Sequence, residues 1–106
     1  MSIEFENTGE VLTARLSGEI DHHSAKSMRE KIDSSIMVNM PTLLVLDFSG
    51  VSFMDSSGIG LVMGRYKLLS KSGAEMLITG MSPNIYKVMK LSGIEKLARL
   101  DNGGLK

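Results

Sequence analysis

Apolar and polar residues alternate at the start of this chain and then change period. Ile3 and Phe5 fall on one face with Glu4 and Glu6 on the other, the two-residue repeat of a strand, and Asn7-Thr8-Gly9 supplies turn residues. Val11 to Ser17 alternates again, with Leu12, Ala14 and Leu16 on a common face, so the two strands are expected to pair as a hairpin. From Asp21 the spacing lengthens to three and four residues through Ala25, Met28, Ile32 and Ile36. This predicts an amphipathic helix, capped by Asp21 or Ser24 and ended by Pro41.

Leu43-Leu44-Val45-Leu46-Asp47-Phe48 is a nearly continuous apolar run, the pattern of a central strand covered on both faces. After Gly50-Val51-Ser52-Phe53-Met54 and Asp55-Ser56-Ser57-Gly58, the residues Ile59, Val62, Met63 and Tyr66 recur at helical spacing until Ser72-Gly73 stops the helix. Met76-Leu77-Ile78 reads as a further strand. Ser82-Pro83 reads as a helix start with Ile85, Val88 and Met89 on its apolar face and Gly93 at its end. A weak last element is expected over Leu97 to Leu100, followed by a frayed tail at Asn102-Gly103-Gly104. Strand-helix-strand units close through right-handed parallel crossovers, so the order predicts an α/β fold: an open mixed sheet with an N-terminal antiparallel hairpin. Sites in such sheets gather where strand ends meet helix starts, which directs attention to Gly18 to Ser24 and Met54 to Gly60.

Composition narrows the classes. A chain of 106 residues has room for one domain, spanning 1–106, and its 42% apolar and 23% charged residues match a folded globular domain rather than a disordered one. Twelve basic residues cancel twelve acidic ones, so no net field draws the chain to nucleic acid or an anionic membrane, and neither is an expected partner. Cysteine is absent, which removes disulfides and thiolate chemistry. No export signal opens the chain and no run is long enough to span a bilayer, so a cytoplasmic location is expected. Met28, Met63 and Met89 sit at core spacing and are expected to fill gaps, whereas Met54 flanks the serine pair and is a candidate for packing on a partner. Arg65, Lys67 and Lys71 read as a solvated face.

Asp55-Ser56-Ser57-Gly58 carries the candidate chemistry. One serine is expected to cap the helix, and Gly58 and Gly60 to allow close backbone packing. A capping position also leaves a neighbouring hydroxyl at the positive end of a helix dipole, where backbone N–H groups accommodate a phosphate. The dipole favours an anion there by roughly 0.3–1 kcal/mol. A doubly charged phosphate about 6 Å from one partner carboxylate is opposed by roughly 1.5–5.5 kcal/mol for effective dielectrics between about 80 and 20. Repulsion therefore wins at an interface, while the isolated fold changes little.

Gly18-Glu19-Ile20-Asp21-His22-His23-Ser24 forms the second stretch. Its adjacent histidines lack further ligands for a metal, and no metal or other cofactor is expected. The stretch reads either as a turn in which Asp21 caps the first helix, or as an exposed acidic and imidazole loop that pairs with a cationic group of a partner.

These two stretches, with Ser52-Phe53-Met54 before the serine pair and Gly64-Arg65-Tyr66-Lys67 after it, resemble the STAS domain family of sulphate transporters and anti-sigma factor antagonists, most nearly its sporulation branch. The resemblance continues weakly through Met81-Ser82-Pro83 and Leu91-Ser92-Gly93 and covers nearly the whole chain. It implies a mixed sheet of four or five strands with helices packed on one side. It also implies a phosphoacceptor at the serine directly after the aspartate, here Ser56, with Asp55, Ser57 and Gly58 shaping its surroundings and Asp21 facing a partner. His22, Ser24, Met54 and Gly60 complete the expected partner-binding set. The implied partner is an anti-sigma factor that is itself an ADP- or ATP-bound serine kinase. It binds the unphosphorylated domain, frees its sigma factor, and loses affinity once Ser56 is phosphorylated; a serine phosphatase reverses the change. The domain would then regulate transcription as a substrate and not as an enzyme. The chain stops at Lys106 after a glycine pair, so a longer C-terminal helix of some relatives is expected to be missing or shortened.

Other classes fit less well. A serine hydrolase would need Ser56 as nucleophile and His22 or His23 as base, but there is no Gly-x-Ser-x-Gly elbow. Gly58-Ile59-Gly60 lacks the P-loop pattern, which leaves only weak nucleotide binding open. Asp47 follows an apolar strand as in a receiver domain, without the paired acids expected earlier in such chains. A STAS module of a general stress or stressosome-like pathway is the nearer alternative.

Overall fold

The computed structural model describes residues 2–101. Five strands and three helices follow in the order β1 (Ser2–Thr8), β2 (Val11–Ile20), α1 (His22–Asn39), β3 (Leu43–Met54), α2 (Ser56–Ser70), β4 (Glu75–Thr79), α3 (Pro83–Ser92) and β5 (Arg99–Asp101), with a single 3-10 turn at Ile94–Lys96. The strands lie side by side in sequence order. β1 and β2 are antiparallel, with Ile3 opposite Leu16 and Phe5 opposite Ala14. β2, β3, β4 and β5 are parallel. Successive right-handed crossovers that always step in one direction return every helix to the same face of the sheet. The mixed sheet with helices on one side is thus the expected fold, and the last weak element proves to be an edge strand. Asn102 to Gly104 lies outside the described residues. Among those residues no helix is long and apolar enough to cross a membrane.

The core lies between sheet and helices. Leu12, Ala14 and Leu16 of β2, Leu44, Leu46 and Phe48 of β3, and Met76 and Ile78 of β4 point into it. Met28, Ile32 and Ile36 of α1 and Ile85 and Met89 of α3 close it from the other side. β3 was expected to be covered on both faces, and it is not: Leu43, Val45 and Asp47 alternate with the buried set and are only half-buried. Among the described residues the helices pack on the opposite face, and these side chains are left partly open. An apolar run cannot separate one-sided from two-sided cover.

α1 ends as expected, for a reason that Pro41 supplies. Proline disfavours right-handed helical geometry in the residue before it, and Met40 adopts a left-handed conformation with φ of 46°, its N–H donating to the Ile36 carbonyl. α2 departs from the expected face. Its buried residues are Gly58, Leu61, Val62, Arg65 and Leu69, while Met63 is exposed and fills no core gap. Met28 and Met89 are fully buried. Val88 is exposed, so the apolar face of α3 reduces to Ile85 and Met89.

Arg65 is the largest correction. Expected on a solvated face, it is 5% exposed and reaches across to α1. Its Nε lies 2.6 Å from Asp33 Oδ1 as an ion pair, without the alignment of a hydrogen bond. Hydrogen bonds run instead from one terminal nitrogen to Asp33 Oδ2 at 3.3 Å and from the other to the Leu61 carbonyl at 3.1 Å. Burial pulls the guanidinium below its ordinary range, and Asp33 opposes that pull. A strongly basic group keeps its proton there, and the pair fastens α2 to α1.

Removing the carboxylate strands a buried cation, so Asp33→Ala is expected to lower unfolding free energy by roughly 1–3 kcal/mol in urea titrations. Replacing both partners, as in Asp33→Leu with Arg65→Met, should cost less than Asp33→Ala alone.

Candidate functional site

The two stretches singled out by sequence are adjacent, and paired strands make them so. Glu19 is opposite Phe53 and Ile20 opposite Met54 at the far end of the β2–β3 ladder. The pairing skips a residue of β3 twice, between Arg15 and Ser17 and between Gly18 and Glu19 of the β2 register. Such bulges re-aim the end of a strand. Little of these two stretches is loop: Gly18 to Ile20 and Met54 are strand, residues 22–24 and 56–60 are helix, and a single residue, Asp21 or Asp55, stands before each helix. The Asp55 N–H still donates to the Ile20 carbonyl at 3.1 Å, which carries the ladder into the second junction.

Both junction residues are aspartates, and both cap. Asp21 Oδ1 accepts the backbone N–H groups of His23 and Ser24, each at 2.9 Å. Ser24 Oγ accepts the Asp21 N–H at 3.0 Å and donates to the Glu19 carbonyl at 2.8 Å, completing a capping box. The Ser24 hydroxyl is thus committed to holding α1. The Asp21 carboxyl is held below the usual carboxylate range chiefly by the N–H of Ser24; partial desolvation opposes this, and the N–H of His23 adds to the lowering.

In α2 the cap is Asp55 and not a serine. Its Oδ1 accepts the Ser57 N–H at 2.8 Å, and its carbonyl accepts the Gly58 N–H at 3.0 Å. Ser56 becomes the first residue of the helix. It is exposed, and its hydroxyl has no hydrogen-bond partner among the described residues. Neither imidazole bonds to it, although both are exposed and lie edge to face 5.8 Å apart. Among the described residues no group of three or more His, Cys, Asp or Glu converges as a metal site would require. The arrangement can receive a group on an exposed hydroxyl at the positive end of a helix, and it has no base poised to activate that hydroxyl.

Met54 faces inward more than outward. It is half-buried against the core, and its Cγ and Sδ fill the space that a side chain at position 58 would occupy. Gly58 is buried for that reason, and the close packing expected of it is with Met54. Gly60 is different: it is exposed, and a Cβ there would meet nothing within 4 Å. It opens instead onto a groove of about 270 Å³ between the two helices, lined by His22, Ala25, Lys26 and Arg29 of α1 and by Ser57, Gly60 and Leu61 of α2. Sequence reasoning missed Lys26 and Arg29, although their spacing of four and seven residues from His22 places all three on one helical stripe. Asp21, His22, Met54, Asp55, Ser56, Ser57, Gly58 and Gly60 all belong to this one end of the sheet.

These features have known counterparts. The STAS domain pattern matches residues 2–103, and the chain belongs to the STAS domain family. Within it, the chain is 38% identical over 97 residues to an anti-sigma F factor antagonist of Paenibacillus polymyxa, covering 92% of this chain and 83% of the relative. The fold matches the unphosphorylated form of the anti-sigma factor antagonist SpoIIAA with a TM-score of 0.81 at 34% identity, over 95% of this chain and 89% of that one. It also matches the phosphorylated form of SpoIIAA, a Bacillus cell fate determinant, with a TM-score of 0.74 at 34% identity over 95% and 92%.

The Met54–Gly58 contact predicts a change of sign. Gly58→Ala alone should lose roughly 1 kcal/mol net, because overpacking outweighs the gain in helix propensity. With Met54→Ala in the same chain, Gly58→Ala should instead stabilise by about 0.5–1 kcal/mol, as read by urea unfolding. The Asp21 carboxyl predicts an acid limb. Its folded-state pKa is depressed, so its contribution is complete above its unfolded value of about 3.9 and fades as pH falls through the lower folded value. Asp21→Asn, which keeps a capping oxygen but does not titrate, should flatten the loss of urea midpoint as pH falls below about 4.

Proposed function

We propose that this protein is an anti-sigma factor antagonist switched by phosphorylation of Ser56. The observation that carries this reading is the placement of Ser56: exposed, free of hydrogen bonds, and first in a helix whose cap is made by its neighbour Asp55. A kinase can reach that hydroxyl without opening the fold, and the product phosphate disturbs no internal bond. Asp21, His22 and Gly60 lie at the same end of the sheet and form the surface that a partner covers, with Ser57 and Gly58 fixing the first turn beneath it. Asp21 serves the cap and this surface together, since a carboxylate has lone pairs to spare after accepting two backbone N–H groups.

The unphosphorylated domain binds the anti-sigma factor and so frees the sigma factor. The anti-sigma factor is also the serine kinase, working with bound ATP, and a serine phosphatase restores the active form. Phosphate acts at the interface through repulsion and desolvation, and not by unfolding the domain. The catalysis belongs to the partners. The relation to an anti-sigma F factor antagonist supports a place in sporulation, and solved forms of SpoIIAA with and without phosphate support a fold that tolerates both states.

Incubation with an anti-sigma F factor and ATP is expected to add one phosphate, which tandem mass spectrometry maps to Ser56. Ser56→Ala should retain binding and incorporate none. The phosphorylated domain should bind roughly ten- to ten-thousand-fold more weakly, as the repulsion energies above imply. Ser56→Asp should fall between the two forms. A phosphate that maps to Ser57 or Ser24 would overturn the assignment.

A further inference from the structure

We infer that the groove between α1 and α2 receives a carboxylate-bearing segment of the anti-sigma factor, with Lys26 and Arg29 as its anchors. This deepens the reading of the domain as an anti-sigma factor antagonist and rests on it. His22, Lys26 and Arg29 are exposed and form one edge of the groove, and no lining residue is acidic. Among the described residues none of the three makes an ion pair. Of the acids near this edge, Asp33, one turn further along α1, is engaged by Arg65 and Asp21 by its cap, while Glu30, the residue after Arg29, is exposed, lies outside the groove lining and makes no ion pair among the described residues. The chain as a whole is neutral, so this is a local surplus of positive charge and not a reflection of overall composition.

The facing edge is built to be approached. Gly60 and, one turn on, Gly64 both have open space where a side chain would stand, so an incoming segment can reach the α2 backbone there while its carboxylates meet the cations of α1. Complementary charge at such an edge acts mainly on the association rate and on the choice of partner. Two cations and an imidazole donor over a groove of this size suit one or two carboxylates and fall short of the phosphate contacts that nucleic acid binding requires. The arrangement also explains why phosphate releases the partner. Carboxylates drawn into the groove beside the first turn of α2 are the groups that a phosphate on Ser56 would repel, so attraction and release address the same acids.

The test uses the full chain and an anti-sigma F factor, the target stated in the name of the Paenibacillus relative. Binding kinetics are measured for wild type, Lys26→Glu with Arg29→Glu, and Lys26→Gln with Arg29→Gln, at low and high salt, with ADP and with a non-hydrolysable ATP analogue. The double reversal should lower affinity by roughly tenfold or more at low salt, mostly through a slower association rate, and the deficit should shrink at high salt. The neutral pair should show an intermediate loss. Thermal midpoints should stay within error of wild type, since both side chains are solvated. A double-reversal variant that binds as tightly as wild type, while phosphate on Ser56 still weakens wild-type binding, overturns the groove and leaves the switch standing. A loss seen with the ATP analogue and not with ADP would assign the cations to the nucleotide's terminal phosphate and overturn the carboxylate. Absence of wild-type binding sinks the switch and the groove together.

Discussion

Everything functional in this domain depends on the pairing of β2 with β3 being carried to its last residues, Ile20 opposite Met54, with a single aspartate between each strand and its helix. The Asp55 N–H on the Ile20 carbonyl ties one junction to the other. Because the strands are parallel and adjacent, the helices that leave them start side by side and run in the same direction. Two positive helix ends are thus brought to one surface, each neutralised in part by its own capping carboxylate. A shift of one residue in this register would turn every side chain of β3 to the other face of the sheet.

Below that surface the two helices are held together by packing and by one buried charge pair. Arg65 and Asp33 contribute little that a well-packed apolar pair could not, since taking charges out of water offsets most of their attraction. What they supply is direction. A guanidinium that must reach both a carboxylate and the Leu61 carbonyl tolerates less rotation of α2 about its axis than a leucine would. The rotation of α2 in turn sets where Ser56, Ser57 and Gly60 point.

The switch proposed at Ser56 requires that the modified residue be energetically separate from the fold. Ser56 meets that condition because Asp55 supplies the cap and Met54 with Gly58 supplies the packing, leaving the hydroxyl with no structural duty. The same division does not hold at the neighbouring junction. There Asp21 and Ser24 are bound into a capping box, so substitutions mix stability with binding. Phosphate at position 56 can therefore act almost wholly on what binds outside the domain.

Local pattern alone determined the element order, the hairpin, the stop at Pro41 and the start at Ser82-Pro83, because each rests on neighbours within a few residues. An expected crossover topology and a family resemblance directed attention to Gly18 to Ser24 and to the Asp-Ser-Ser-Gly stretch. Only the tertiary structure decided which residue caps α2, how little of the two junctions is loop, and that β3 is open on one face. It alone turned Arg65 inward and revealed Lys26 and Arg29 as the edge of a groove. Those outcomes depend on how α1 and α2 lie against each other, and a charged residue reads as solvated in any pattern until a partner from another helix is found for it. Periodicity reports which positions share a face; it carries no information about what the opposing element brings to meet them.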